Sequence, residues 1–356
     1  MKNIIRFYSS VMILVLLLCS QALFAQAPKV IRIASPDVSA GSKSAGGGVV
    51  DVLYVNQWLE KAFAKQNIKI EWLFFKGAGP AINEALANNQ VDFAFLGDFP
   101  LIIGKAGGLD TQLLVASGRG GTNYLAVRSD LNIKNLSELK GKRVGLLRGT
   151  ADELGFINAL NSQGLSIKDI RIVNLDFNAV NAALVAKKID ASWGPARFFA
   201  LRDKGIVKLP VNSNQLNGAG SGQGGFIGHR AFIEAHSAET QQVVNQVIRA
   251  AHWLSQEQNR VPQIALFFTQ ASYPASIYAQ ALQGTNLKFA YSPLFDPYYV
   301  NQLQNKIKLA KQQNLIRQNI EVNTWINQKF LNNALNQLKL KDYWQPTSQY
   351  QSRIQK

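Results

Sequence analysis

Residues 77–100 constrain the fold most, because they alternate turn, helix and strand within one short stretch. They read GAGPAINEALANNQVDFAFLGDFP, with glycine in both turns. Proline is favoured in the first helical turn, as Pro80 would be, and Ile82 and Leu86 fall on one helical face. The apolar run that follows is interrupted only by Asp92, as in a strand covered on both faces. This order predicts a unit of a wound α/β sheet.

Both helices of this stretch begin at glycine-containing turns and would present free N–H groups and a partial positive charge to an anion. A purely structural role, in which the glycines only shape turns, is the alternative. We predict that Asp98 caps its own helix, with its carboxylate turned away from any bound anion. The candidate ligand-binding residues here are Gly79, Pro80, Ala81, Gly97, Asp98 and Phe99.

The full string resembles one family of proteins. Gly79-Pro80, Glu84-Ala85-Leu86, Val91-Asp92 and Gly97-Asp98-Phe99-Pro100 match a pattern of the solute-binding proteins of bacterial ABC importers for aliphatic sulfonates, taurine and nitrate. The sulfonate-binding branch is the most similar, and the resemblance continues through NLSELKGKRV at 135–144 and IDASWGP at 189–195. It implies a two-lobed periplasmic binding protein of the type II kind. Each lobe would be a wound sheet flanked by helices, with a cleft between the lobes.

The same resemblance suggests the domain boundaries. The first lobe would combine residues 29–129 with 225–345, and the second would span 130–224. Hinge crossings would lie near 129–133 and near the glycine-rich residues 220–225, and the tail at 346–356 would be disordered. The loop at 36–48, rich in Ser, Gly and Ala, either contacts ligand or is a mobile surface loop.

The second lobe adds further candidates. Thr150 and Glu153 have the spacing of a capping box, while in the resembled family this turn supplies anion contacts. Arg148 would add a charge-assisted bond, and Trp193 would lie against an apolar tail unless it is a core residue. The family often has Asp where this chain has Gly194. The candidates of this lobe are Arg148, Gly149, Thr150, Ala151 and Trp193.

The N-terminus has the three parts of a secretory signal peptide. Lys2 and Arg6 precede an apolar run at 11–18, and small residues follow. We predict a leader at residues 1–25, cleaved after Ala25 or Ala27, and export to the periplasm. Leu18 stands where lipobox patterns have a small residue, so no lipid anchor on Cys19 is expected.

The sequence also disfavours most catalytic chemistry. Cys19 is the only cysteine and would leave with the leader, so the exported chain would have no disulfide and no thiol nucleophile. The three histidines match no common metal spacing, and no P-loop or nucleophile elbow occurs. The enzymes on the resembled fold, thiamin-pyrimidine synthases and aromatic desulfinases, look cysteine-dependent. We therefore predict no enzyme, no cofactor and no metal.

The net charge of +16 is spread through the chain, and export makes nucleic acid an improbable partner. The expected function is that of a monomeric periplasmic component of an ABC importer. It would bind an organosulfur anion (an aliphatic sulfonate, taurine or a sulfate ester) and deliver it to the permease. The alternatives are a receptor for nitrate, bicarbonate or a thiamin-pyrimidine-type ligand, or an esterase or desulfinase on the same scaffold.

Overall fold

Two five-stranded sheets, each flanked by helices, form two lobes in the computed structural model, which describes residues 27–351. The predicted leader at 1–25 and residues 352–356 lie outside this range. The strands are β1 Val30–Pro36, β2 Lys69–Phe75, β3 Phe93–Gly97, β4 Thr111–Ala116, β5 Tyr124–Arg128, β6 Arg143–Leu146, β7 Arg171–Asn174, β8 Ala191–Gly194, β9 Val207–Asn212 and β10 Gly224–His229.

The helices comprise a set of long and short segments. They are α1 Gly48–Val55, α2 Trp58–Phe63, α3 Ala78–Ala87, α4 Asp98–Ala106, α5 Ala151–Asn161, α6 Phe177–Val185, α7 Phe199–Asp203, α8 Arg230–Ala235, α9 Ser237–Ser255, α10 Arg260–Ala271, α11 Ala275–Leu282, α12 Leu287–Ala290, α13 Pro297–Gln312, α14 Val322–Trp325 and α15 Gln328–Gln337. Helices α1 and α2 are separated at Gln57, whose φ of 52° is left-handed. Within residues 27–351, none of the helices combines the length and hydropathy that a membrane crossing needs.

The two sheets share one topology. The first has the strand order β2-β1-β3-β10-β4 and the second β7-β6-β8-β5-β9. In each, one strand runs antiparallel to both of its neighbours, β10 in the first sheet and β5 in the second. The predicted two-lobed α/β architecture is confirmed.

An equivalent ion pair fixes the start of the central strands in both lobes. In the first lobe, Arg32 Nη2 lies 2.6 Å from Asp92 Oδ1, and the Arg32 N–H donates to the same carboxylate. In the second lobe, Arg143 Nη2 lies 2.8 Å from Asp190 Oδ1, and the Arg143 N–H again donates to it. The lobes are thus repeats of one plan, although the sequence shows no internal repeat.

The chain crosses between the lobes at residues 117–123 and 213–223. Gly121 and Gly222 exchange two backbone hydrogen bonds of 3.0 and 2.8 Å, so the crossings lie side by side. The first boundary therefore falls earlier than the predicted residue 129, because Tyr124–Arg128 pairs with β8 and β9 of the second sheet. Its alternating apolar residues identify a strand, but they carry no information about which sheet it joins.

Helix α13 holds both crossings onto the first lobe. Asp296, at its N-cap, forms a buried 2.7 Å ion pair with Arg119 of the first crossing. Lys306 donates to the Ser221 carbonyl oxygen of the second crossing at 3.0 Å and pairs with the buried Asp98 carboxylate. Buried ion pairs are costly to break from one side, so these contacts fix the pivot of the hinge.

The chain end also contacts the hinge. The Thr347 N–H donates to Asp296 Oδ2 at 3.1 Å, and the Tyr350 hydroxyl donates to Asn214 Oδ1 of the second crossing at 2.6 Å. Residues 346–351 are therefore docked, in contrast to the disorder predicted from their polar composition. Their partners lie 51 and 136 residues away along the chain, and local composition cannot reveal such contacts.

Candidate ligand-binding site

A cavity of about 330 Å³ lies between the lobes, and we call it the Arg197 cavity. The first lobe lines it with uncharged groups, and the second lobe contributes one cation and one carboxylate. Its lining comprises Pro36, Val38, Ala78, Gly79, Gly97 and Pro100 of the first lobe, Thr150, Ala151, Asp152, Phe177, Pro195, Ala196 and Arg197 of the second, and Tyr273, Ile277, Tyr278 and Ala281 around α11.

Two helices point their N-termini at this cavity from opposite lobes. Ala78 and Gly79 open α3, while Ala151 and Asp152 open α5. The first residues of a helix have no N–H acceptor within it, and they carry its partial positive charge. Ala78 has a φ of 50°, a left-handed conformation that is strained for alanine and typical of functional positions.

Arg197 supplies the cation of the cavity. Its guanidinium carbon lies 4.8 Å from the centre of the Phe177 ring and 4.6 Å from that of Phe198. Its Nη2 donates to Asp152 Oδ2 at 2.9 Å, and both side chains are largely buried. The buried Nε has no hydrogen-bond partner. The guanidinium is thus held in one plane, with donors left over for a ligand.

Gly194 makes room for this guanidinium. A methyl group built at Gly194 would lie 2.4 Å from Arg197 Nη2 and 2.8 Å from its central carbon. Any larger residue there would displace the end of the Arg197 side chain. The absence of the Asp that the resembled family often has at Gly194 is therefore tied to the placement of Arg197.

The lobes touch beside the cavity. A methyl group built at Gly97, the last residue of β3, would lie 2.7 Å from the Cβ of Ala151 in the second lobe. One built at Gly149 would lie 2.9 Å from Cγ of Pro80 in the first lobe. Leu154 of α5 packs in the first lobe's core. The structure therefore shows the lobes closed on each other.

A second cavity of about 540 Å³, the hinge cavity, adjoins the first, because Pro36, Gly97 and Pro195 line both. It is lined by Gly46, Gly47 and Gly48 and by residues of both crossings. The loop at 36–48 therefore reaches the cleft.

Behind the glycines of this loop, the Asp51 carboxylate accepts the Gly46 N–H at 2.8 Å, while its Oδ2 has no partner. Burial raises the pKa of Asp51 to about 6.

Four of the predicted site residues line the Arg197 cavity: Gly79, Gly97, Thr150 and Ala151. Pro80 and Ala81 follow Gly79 along α3 and do not line it. The Thr150 hydroxyl donates to the Leu147 carbonyl oxygen at 2.6 Å, so the predicted capping box does not form.

Several N–H groups predicted to be free are occupied. The Asp98 N–H donates to the Gln223 carbonyl oxygen at 2.9 Å, and the Phe99 N–H donates to Asp98 Oδ1 at 2.7 Å. The Gly149 N–H donates to Glu153 Oε2 at 2.7 Å. The Asp98 carboxylate does point away, since it pairs with Lys306, but Gly97 and not Asp98 is the N-cap. Phe99 is buried in the core, so neither its ring nor its N–H is available to a ligand.

Two side chains predicted to hold a ligand lie elsewhere. Trp193 is fully buried in the core of the second lobe, where its Nε1 donates to the Gly220 carbonyl oxygen at 3.3 Å. Arg148 is exposed and lines neither cavity. Arg197, and not Arg148, is the arginine that lines the cavity, and the sequence signal for it is a cation two residues after the strand-ending Gly194-Pro195 turn.

The sequence did not identify the aromatic side chains that line the cavity. Phe177 directly follows the N-cap Asp176. Tyr273 precedes α11 and Tyr278 lies within it, in a long helical region without a motif. No three acidic or histidine side chains between residues 27 and 351 cluster in a way that could hold a metal ion.

Comparisons with known proteins agree with this architecture. The family described as "NMT1/THI5 like" matches residues 62–260, more than half of the chain. A protein of Escherichia coli named as an aliphatic sulfonates-binding protein is 30% identical over 230 residues, 64% of this chain and 69% of that protein. One of Bacillus subtilis with the same name is 29% identical over 141 residues, which span 39% of this chain and only 42% of its own length. A protein of Haemophilus influenzae named for thiamine biosynthesis is 30% identical over 210 residues, 58% of this chain and 62% of that protein.

Solved structures extend the similarity to nearly the whole chain. A protein of Methylobacillus flagellatus, titled as the periplasmic sulfonate-binding protein of a sulfonate ABC transporter, is 29% identical. It superposes with a TM-score of 0.76, covering 91% of this chain and 99% of that one. The periplasmic aliphatic sulphonate-binding protein of Escherichia coli has the same fold, with a TM-score of 0.67 at 23% identity over 84% of this chain and 98% of its own. The Escherichia coli and Methylobacillus flagellatus relatives are named as solute-binding proteins and not as enzymes. The chain itself belongs to the NMT1/THI5-like family.

Proposed function

We propose that this protein is the periplasmic substrate-binding component of an ABC importer and that it holds an organosulfur anion in the Arg197 cavity. One observation carries the proposal: helix N-termini from both lobes and the Arg197 guanidinium converge on a cavity whose other walls, apart from Thr150 and Asp152, are aliphatic or aromatic. A sulfonate or sulfate ester has that polarity, with an anionic head that needs donors and a tail that needs apolar contacts. The names and structures of the relatives support the same ligand class.

The Asp152 carboxylate is compatible with an anion in this cavity because it is paired with the Arg197 guanidinium. A guanidinium has five N–H donors, and the bond to Asp152 Oδ2 uses one on Nη2. Asp152 also lies in the first turn of α5, where the helix dipole stabilises a carboxylate. It therefore orients the guanidinium and leaves the remaining donors to the sulfonate oxygens.

A second candidate is a thiamin-pyrimidine-type ligand. The Haemophilus influenzae relative is named for thiamine biosynthesis, and the rings of Phe177, Tyr273 and Tyr278 offer surfaces to a flat heterocycle. Nitrate and bicarbonate fit less well, because an ion of that size would leave the apolar walls uncovered.

The test is a binding panel read by thermal shift and calorimetry, containing alkanesulfonates, taurine, alkyl sulfates, sulfate, nitrate and an aminomethyl pyrimidine. We expect an organosulfur anion to bind, and Arg197→Ala to weaken it about tenfold or more, since a charge-assisted bond contributes about 1.5–3 kcal/mol. In Arg197→Ala alone, the Asp152 carboxylate is left unpaired and could itself weaken binding. The double variant Arg197→Ala with Asp152→Ala excludes that explanation for the lost affinity. Arg148→Ala, at an exposed arginine of the same lobe, is the matched control.

Three results would refute the proposal: binding of the pyrimidine alone, unchanged affinity in Arg197→Ala, or turnover of a sulfonate or sulfate ester by the purified protein. Delivery to a permease is a separate claim. Cells lacking this chain should fail to grow on the bound anion as sole sulfur source, and the intact gene should restore growth.

A further inference from the structure

Helix α11 reaches across the cleft from the first lobe to the second. It is tied to the first lobe through α10, whose Phe267 is buried in that lobe's core. The Ala271 carbonyl oxygen at the end of α10 accepts the Ala40 N–H at 3.0 Å. After α11, the Thr285 carbonyl oxygen accepts a 2.9 Å bond from Arg260 at the start of α10. Both ends of the α10–α11 pair are therefore fixed.

The far side of α11 is seated on the second lobe. Ile277 is 2% exposed and forms a small apolar cluster with Tyr124 of β5 and Phe199 of α7. Arg202 of α7 donates to Gln280 Oε1 at 2.5 Å. The next residue, Tyr278, faces the first lobe instead, with its ring centre 5.6 Å from that of Phe267. Neighbouring side chains of one helix thus pack on different lobes.

The same helix closes the Arg197 cavity. Ile277, Tyr278 and Ala281 line it, and none of them is charged. In the described chain, the two crossings line the hinge cavity and not this one. The cavity wall formed by α11 is therefore a further link between the lobes, built from side-chain packing and not from the main chain.

We propose that α11 is a lid carried by the first lobe and seated on the second, and that its Tyr278 and Ala281 set the length of the ligand's apolar part. Opening of the cleft must separate Ile277 from Tyr124 and Phe199, because main-chain and core contacts fix α10–α11 to the first lobe. Ligand entry then requires the lid to leave its seat. The selectivity part rests on the proposed function, whereas the seat is independent of any ligand.

The seat is tested without ligand by amide hydrogen exchange. Ile277→Ala should speed the exchange of α11 amides about tenfold or more, while amides of β5 and α9 keep their rates. Arg202→Ala, which removes the bond to Gln280 at a partly exposed position, should act in the same direction and cannot unfold the core. Ala279→Leu, at an exposed position of the same helix, is the control. Unchanged exchange of α11 in both seat variants would overturn the lid.

Selectivity is tested with methanesulfonate and octanesulfonate. Ala281→Leu fills the cavity wall and should weaken octanesulfonate about tenfold while leaving methanesulfonate unchanged. Ala279→Leu should change neither. Equal losses for both ligands would overturn the selectivity assignment. If the wild-type protein binds no member of the organosulfur series, the proposed function fails, while the exchange experiment still decides the lid.

Discussion

Gly97 offers a direct probe of the contact between the lobes. Its φ of −68° and ψ of 164° are extended values that alanine adopts without strain. The Cβ of an alanine there would lie 2.7 Å from the Cβ of Ala151, whereas carbon atoms in contact prefer about 3.5–4.0 Å. The three heavy atoms nearest to it would all belong to Ala151. Gly97→Ala should therefore leave the first lobe intact and push α5 away by about 1 Å.

The cost of such overpacking is about 1–3 kcal/mol, which corresponds to a loss of ligand affinity of about 5- to 150-fold. Calorimetry gives the affinity, and solution scattering should show that Gly97→Ala compacts less than the wild-type protein when saturated with ligand. Because Gly97 also lines the cavity, a methyl group could instead occupy ligand space. The double variant Gly97→Ala with Ala151→Gly separates these causes.

In the double variant the new methyl group remains but the clash across the cleft is gone. We expect it to regain most of the lost affinity and the full compaction. If Gly97→Ala binds like the wild-type protein, the ligand-bound form is not the closed arrangement described above. If Ala151→Gly restores nothing, the new methyl group acts by occupying ligand space and the reasoning from the contact between the lobes is refuted.

Three further predictions concern stability. Burial raises the pKa of Asp51 to about 6, so the stability linked to its protonation is present below about pH 4 and is lost as the pH rises through 6. Two pKa units correspond to about 3 kcal/mol, and urea unfolding at pH 4.5 and 7.5 should show Asp51→Asn gaining stability relative to wild type at the higher pH. The hydrogen bond from Arg143 lowers the pKa of Asp190, so its stabilisation is fully present above about pH 4 and is lost as the pH falls through the lowered value. Asp190→Asn should therefore be less stable than wild type by the same amount at pH 4.5 and 7.5, with the difference shrinking only at lower pH, and a difference that already changes between pH 4.5 and 7.5 would refute the assignment. Trp193→Phe should cost about 1–3 kcal/mol of unfolding free energy and weaken short and long sulfonates equally; a loss confined to long ones would place Trp193 at the ligand.

The sequence predicted those parts of the site that follow from the order of strands and helices. In wound sheets, ligands bind at the carboxyl ends of strands, next to the N-termini of the following helices. Gly97 ends β3, and Gly79 and Ala151 lie in the first turns of α3 and α5. A glycine turn before an amphipathic helix therefore identifies a position at the cleft without knowledge of the tertiary structure.

The availability of individual N–H groups could not be predicted, because distant groups decide it. The Asp98 N–H donates to the carbonyl oxygen of Gln223, a residue of the second crossing. The Gly149 N–H is taken by Glu153, whose side chain had a plausible alternative in the capping box with Thr150. Sequence spacing shows which bonds are possible, but the competition among acceptors is settled only by packing.

The sequence predicted Arg148 for the cavity, whereas the structure has Arg197 there, and the reason for this difference is similar. Each arginine follows the end of a strand of the second sheet, so position along the chain does not distinguish them. Arg197 is drawn inward by two phenylalanine rings, by Asp152 and by the space above Gly194. These contacts come from three separate segments, and none is visible as a local motif.

The division of the cavity lining between the lobes suggests an order of binding events. Among the lining side chains, charge is confined to Asp152 and Arg197 of the second lobe, whereas the first lobe's lining, including α11, is uncharged, so the charged contact for an arriving anion lies on the second lobe. The first lobe can add backbone N–H groups from α3 only after closure, when the loss of water strengthens those bonds. Removing Arg197 should therefore slow association as well as hasten release, whereas a clash at Gly97 should act mainly on release. The two sheets have equivalent Arg–Asp pairs and therefore share one scaffold. The functional difference between the two lobes lies in the turns that follow the strands of each sheet.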